Sequence, residues 1–184
     1  VFLAGLAMSV TPGKVGEVLK SYLLRDRIGV PVHATAPVVV MERGTDVISV
    51  VLLGLSGLAL LPRSISAVML AALIVLALLG WFAISRFSDK LLGLPLIRRW
   101  KPGLEGSRAT LRQLAAPQPL VVAVVLGILA WFCEGAALWV ILRGLDTNVS
   151  LTSAIAIYAA ATLVGAISTL PGGLVGTEGT MVAL

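Results

Sequence analysis

The chain is 184 residues long, 58% hydrophobic and only 12% charged, with a formal net charge of +5 and a mean hydropathy of +1.03. Water-soluble domains carry about a quarter charged residues, so this composition excludes one. A single cysteine, Cys133, and a single histidine, His33, exclude an internal disulfide, a thiolate metal cluster and a two-histidine metal motif.

Runs of about 20 mostly apolar residues are long enough to cross the hydrocarbon core as helices. Open sheets at that depth would leave amides unsatisfied, and barrel strands would be shorter and alternating. The expected fold is all-α: a polytopic integral membrane helical bundle with Pro-Gly-broken or re-entrant helices. It reads as one transmembrane domain over residues 1–184, a fragment incomplete at both ends, with Val1–Val10 the tail of an earlier helix.

The first polar segment is "SVTPGKVGEVLKSYLL", Ser9–Leu24. Pro12 removes a backbone donor, and Gly13 and Gly16 loosen the chain, so the helix ends or breaks there. The helix that follows opens with free amides and a positive dipole end, which favour an anion such as a phosphate-bearing headgroup. Lys14 and Glu17 add a polar strip at the membrane boundary, and Lys20–His33 continues as a basic loop.

The first complete crossing, Ala36–Leu61, contains "MERGTDVISV". Three charges alone in lipid cost roughly 8–10 kcal/mol, since each central Asp or Arg costs about 2.5–3.5. Asp46 lies four positions after Glu42 and three after Arg43, so the three share one side of the helix and can pair. One negative charge is left over, which implies a polar cavity or a protonated carboxylate. A purely structural ion-pair knot is the competing reading.

The second crossing is Ser64–Ser85, and after it the stretch 86–118 carries seven basic residues, from Arg86 to Arg112, against Asp89 and Glu105. No nucleic-acid motif accompanies them, so no nucleic-acid partner is expected; membrane topology and attraction to anionic headgroups account for the surplus. The stretch reads as an interfacial loop, with Gly93 and Pro95 arguing against one continuous helix. Basic loops stay cytoplasmic, and four crossings put 20–33 and 86–118 on the same side of a plasma (inner) membrane. The third crossing, Pro119–Leu142, brings a fourth ionisable group, Glu134, to membrane depth; the fourth is Leu151–Leu170.

"STLPGGLVGTEGTMVAL", Ser168–Leu184, repeats the design of the first broken segment: an apolar helix, then Pro171, Gly172 and Gly173, then Glu178. Met181–Leu184 begins a later helix. Matching Gly/Pro breaks point to a transporter-like binding site, against the alternative of two ordinary helix–loop–helix corners.

Together, "PGKVGEVLKSYLL", "MERGTDVISV" and "LPGGLVGTEG" resemble, in order, three motifs of the flippase-like membrane domain found in lysylphosphatidylglycerol synthases and related glycosyltransferase-associated membrane proteins. The resemblance covers nearly the whole chain. It departs at Val175, where the family has glycine; Gly176 follows one place later. What it implies is a multi-spanning domain that handles lipids and, in its best-known members, moves aminoacylated phospholipid between leaflets. The lipid-binding set on this reading is Pro12, Gly13, Lys14, Gly16, Glu17, Glu42, Arg43, Asp46, Glu134, Pro171, Gly172, Gly173 and Glu178. Expected partners are membrane lipids: anionic or aminoacylated phospholipid, or a polyprenyl-linked lipid. No catalytic residue, metal or cofactor is expected. The alternative is a non-transporting membrane partner that presents a lipid substrate to a glycosyltransferase or aminoacyl transferase. An intramembrane enzyme using Glu42 with Asp46 is a third reading, weakened because no nucleophile–histidine pair lies at membrane depth.

Overall fold

A computed structural model describes residues 3, 11, 17–57, 62–84, 101–168, 173 and 175–184. Seven helices follow among them: α1 Leu19–Ile28, α2 Val32–Leu55, α3 Arg63–Ile84, α4 Lys101–Leu114, α5 Pro117–Gly144, α6 Leu151–Ile167 and α7 Gly176–Ala183. One helix covers most of each of the four expected crossings, namely α2, α3, α5 and α6, with α2 ending at Leu55 inside the expected Ala36–Leu61.

α1 occupies much of the stretch expected to be a basic loop. It ends at Gly29, whose φ of 73° is left-handed and whose N–H bonds to the Arg25 carbonyl. Such a turn needs no Cβ and stops the helix. Pro31 then opens α2, and the two helices fold back on one another, bringing Lys20 against Glu42. The 10 residues of α1 span about 15 Å at ~1.5 Å per residue. The start of α1 therefore lies beside the middle of α2, where a loop at the bundle's end would not reach. His33, likewise expected in a loop, sits in the first turn of α2.

Part of the stretch 86–118 is also helical. Pro37 lies inside α2 and has no N–H to give the carbonyl four residues earlier. Ser107 of α4 donates its hydroxyl to that carbonyl, on His33, at 3.0 Å. Gly103 and Gly106 make the approach possible: a Cβ on Gly106 would run into the His33 ring. The segment holding Gly93 and Pro95 lies outside the described residues.

The core is formed by α2, α3 and α6. Val50 and Val51 of α2, Met69 of α3, and Ala159, Ala160 and Leu163 of α6 are buried together. α6 is rich in small residues (Ala154, Ala156, Ala159, Ala160, Ala161 and Gly165 are all buried), and small residues let membrane helices approach closely. α5 crosses α2 where Gly127 meets Ser49, and it packs on α6 where Gly135 meets Ile155.

The outer surface is apolar. Leu126 is 61% exposed, Leu129 56%, and Leu78 59%, as expected of a surface solvated by lipid. By length and composition α5 is the one described helix able to cross a bilayer, with shorter apolar stretches at Arg63–Leu79 and Leu151–Ile167. α2 has the length but carries Glu42, Arg43 and Asp46. The chain is an all-α membrane protein.

Candidate functional site

Glu17 begins the turn that leads into α1 and, with Lys20 three positions later, faces α2. Glu42, Arg43 and Asp46 face back. Arg43 is the hub: its guanidinium lies 3.3 Å from Glu17, 3.6 Å from Glu42 and 3.1 Å from Asp46. The Lys20 ammonium lies 3.8 Å from Glu17 and 3.7 Å from Glu42. Three carboxylates and two cations thus share one knot, which keeps the one excess negative charge expected from α2 alone.

Burial in the knot is graded. The Glu17 side chain is 3% exposed and Lys20 13%, whereas Asp46 is 28%, Arg43 33% and Glu42 41% exposed. The knot therefore has a closed floor at Glu17 and an open side at Glu42. Among the described residues, Ser21 Oγ and Arg43 Nε are buried here without a hydrogen-bond partner, whereas Glu17 Oε2, also without a hydrogen bond, is held by its ion pairs to Arg43 and Lys20. Ser21 lies one turn after Glu17. Buried polar atoms are normally satisfied by protein or water, so these two leave donor capacity beside the ion pairs. The same grouping weighs against a knot sealed entirely by its own ion pairs.

Glu134 does not join the knot. It is exposed on α5 and accepts a hydrogen bond from the Tyr158 hydroxyl of α6 at 3.3 Å. The link to the knot runs through aromatic residues. The Trp131 indole N–H donates to Asp46 at 3.4 Å, and its ring lies 6.3 Å, centroid to centroid, from that of Tyr158.

Of the second break, Gly173 and the residues from Val175 onward are described. Gly173 has φ 74°, and Val175, which caps α7, has φ 69° and ψ −45°. α7 folds back along α6, with Gly176 against Ser168 and Thr177 against Gly165. Glu178 is exposed in the first turn of α7, where a carboxylate complements the helix's own dipole. No ion pair among the described residues ties it to the knot. Pro12, Gly13, Lys14, Gly16, Pro171 and Gly172 lie outside the described residues.

The site residues brought together are thus Glu17, Glu42, Arg43 and Asp46; Glu134, Gly173 and Glu178 stand apart. Lys20, Ser21, Trp131 and Tyr158 are additions of the fold. Lys20 carried a signal, the three-residue spacing from Glu17, which suits a helical ion pair but is hidden when the stretch is taken for a loop. Among the described residues no group of His, Cys, Asp and Glu could hold a metal ion.

The family model described as "Lysylphosphatidylglycerol synthase TM region" matches residues 1–184. The chain belongs to this family. A "UPF0104 membrane protein" of Methanothermobacter thermautotrophicus is similar, 26% identical over 211 aligned residues that cover 99% of this chain. The chain spans 62% of that relative's length. No solved structure matches. In this lysylphosphatidylglycerol synthase membrane region, the backbone at Val175 adopts a positive φ of the kind that glycine favours.

Proposed function

We propose that the domain binds the headgroup of a phospholipid or lipid-linked molecule in the Glu17–Arg43 knot and moves it between leaflets. The observation that carries this is the gathering of Glu17, Lys20, Glu42, Arg43 and Asp46 in one ion-pair cluster, with Arg43 Nε buried without a hydrogen-bond partner among the described residues beside the open carboxylate of Glu42. Arg43 and Lys20 suit a phosphate, with Lys14 adding charge from the adjacent motif. Glu17, Glu42 and Asp46 suit a cationic headgroup or balance the basic residues. Intramembrane charge of this kind marks pathways and sites. On this reading the domain transports and does not catalyse, the membrane is the plasma (inner) membrane, and residues 20–33 and 86–118 face the cytoplasm.

Leaflet exchange of a labelled phospholipid in reconstituted vesicles tests the reading. Glu42→Gln and Arg43→Gln abolish exchange while the protein remains inserted. Exchange at the unaltered rate overturns the reading.

The docked α4 favours a second reading, in which the domain presents a lipid-linked substrate to a glycosyltransferase or aminoacyl transferase. Leu104 and Arg112 of α4 are exposed. This reading predicts co-purification of a transferase that is lost when Leu104 and Arg112 are both replaced by Ala.

A further inference from the structure

Glu134 is a carboxylate roughly 26 Å along α5 from Pro117, at ~1.5 Å per residue, between the exposed apolar residues Leu129 and Val140. A charge at that depth is costly unless something partners it. The Tyr158 hydroxyl donates to it at 3.3 Å, but among the described residues no cation lies within ion-pair distance. One turn back along α5, Trp131 places its ring 6.3 Å from the Tyr158 ring with the planes inclined at 44°. The Trp131 N–H is committed to Asp46, which holds the indole from the knot side. A carboxylate beside two electron-rich rings is the donor set that recognises an organic ammonium, through one ion pair and cation–π contact with ring faces within about 6 Å.

We propose that Glu134, Tyr158 and Trp131 form a second station, separate from the knot, that holds the ammonium group of a membrane lipid. The ammonium follows from the three side chains; only the lipid as its bearer rests on the lipid-handling reading above. The hydrogen bond from Trp131 to Asp46 makes the two stations neighbours, so a headgroup leaving one meets the other without crossing a wholly apolar gap.

The test is a thermal-shift titration of the purified protein in detergent with dihexanoyl phosphatidylethanolamine, dihexanoyl phosphatidylglycerol and free ethanolamine. The wild type binds the ethanolamine lipid saturably and the glycerol lipid far more weakly. Glu134→Gln weakens the ethanolamine lipid about tenfold, as loss of a charge-assisted contact requires. Trp131→Leu, which keeps every charge, weakens it by a factor of about 3–10 through the lost cation–π contact. Equal binding of the two lipids, or wild-type affinity in both Glu134→Gln and Trp131→Leu, overturns the proposal. Free ethanolamine binding as tightly as the lipid overturns the assignment to a lipid and supports an ammonium site for soluble amines. Failure here leaves the knot's role standing, and normal leaflet exchange in Glu42→Gln overturns the knot while leaving this station.

Discussion

Val175 combines φ 69° with ψ −45°, close to the strained γ-turn conformation. For a β-branched residue this is an outlier and costs about 1–3 kcal/mol. Val175→Gly is therefore expected to stabilise the protein by about 1 kcal/mol, after the extra backbone entropy of glycine in the unfolded chain is subtracted; thermal melting in detergent checks it. In the knot, Arg43 and Glu17 are not equivalent. Removing Arg43 leaves three carboxylates facing Lys20 alone, whereas removing Glu17 removes the excess negative charge. Arg43→Gln should cost about 2–3 kcal/mol, below the range for fully buried pairs because a third of Arg43 is exposed. Glu17→Gln should cost about 1 kcal/mol, because loss of its ion pairs to Arg43 and Lys20 is partly offset by removal of the excess negative charge, and urea unfolding of the two variants gives the order. At this scale Glu42, Arg43 and Asp46 were legible because their spacing on one helix forces them together. Lys20 was not, because its partners lie on another helix.

Helix pairs in this bundle are set by glycines and hydroxyls. A Cβ on Gly135 would lie 3.1 Å from the Ile155 Cα, a backbone atom that cannot move aside as a side chain can. Gly135→Ala should therefore cost about 1–3 kcal/mol by overpacking. Gly144→Ala, at the end of the same helix with nothing within 4 Å, should change stability by less than about 0.5 kcal/mol. Melting temperatures of the pair separate the two cases. Ser107→Ala leaves the His33 carbonyl without the donor that replaces the missing Pro37 N–H, at about 1 kcal/mol. Faster hydrogen exchange confined to α4 would report it. The donor that compensates Pro37 lies 74 positions from the carbonyl it serves, beyond the reach of any local pattern. The same limit hid α1 and α4, which are short, polar on balance and packed chiefly against α2.

For the whole molecule, the apolar exterior of α5 and α3 is the surface that meets lipid. Leu126 is 61% exposed near the middle of α5, so Leu126→Lys should leave packing intact yet make insertion less favourable by about 3–4 kcal/mol. An insertion assay on the α5 segment reads that cost directly. The same exterior means that water cannot organise this bundle. Polar groups must find protein partners, as the ion pairs of the knot do.

Composition and run length alone determined that the chain is a helical membrane protein, since backbone amides in hydrocarbon have few other solutions. Motif order pointed to its family, and helical spacing paired Arg43 with Glu42 and Asp46. Only the tertiary structure decided that Glu17 and Lys20 close the knot and that Glu134 belongs to Tyr158 and Trp131. The reason is physical: periodicity encodes which residues share a face of one helix, whereas which faces meet depends on where glycines permit close approach and where a buried donor finds its acceptor.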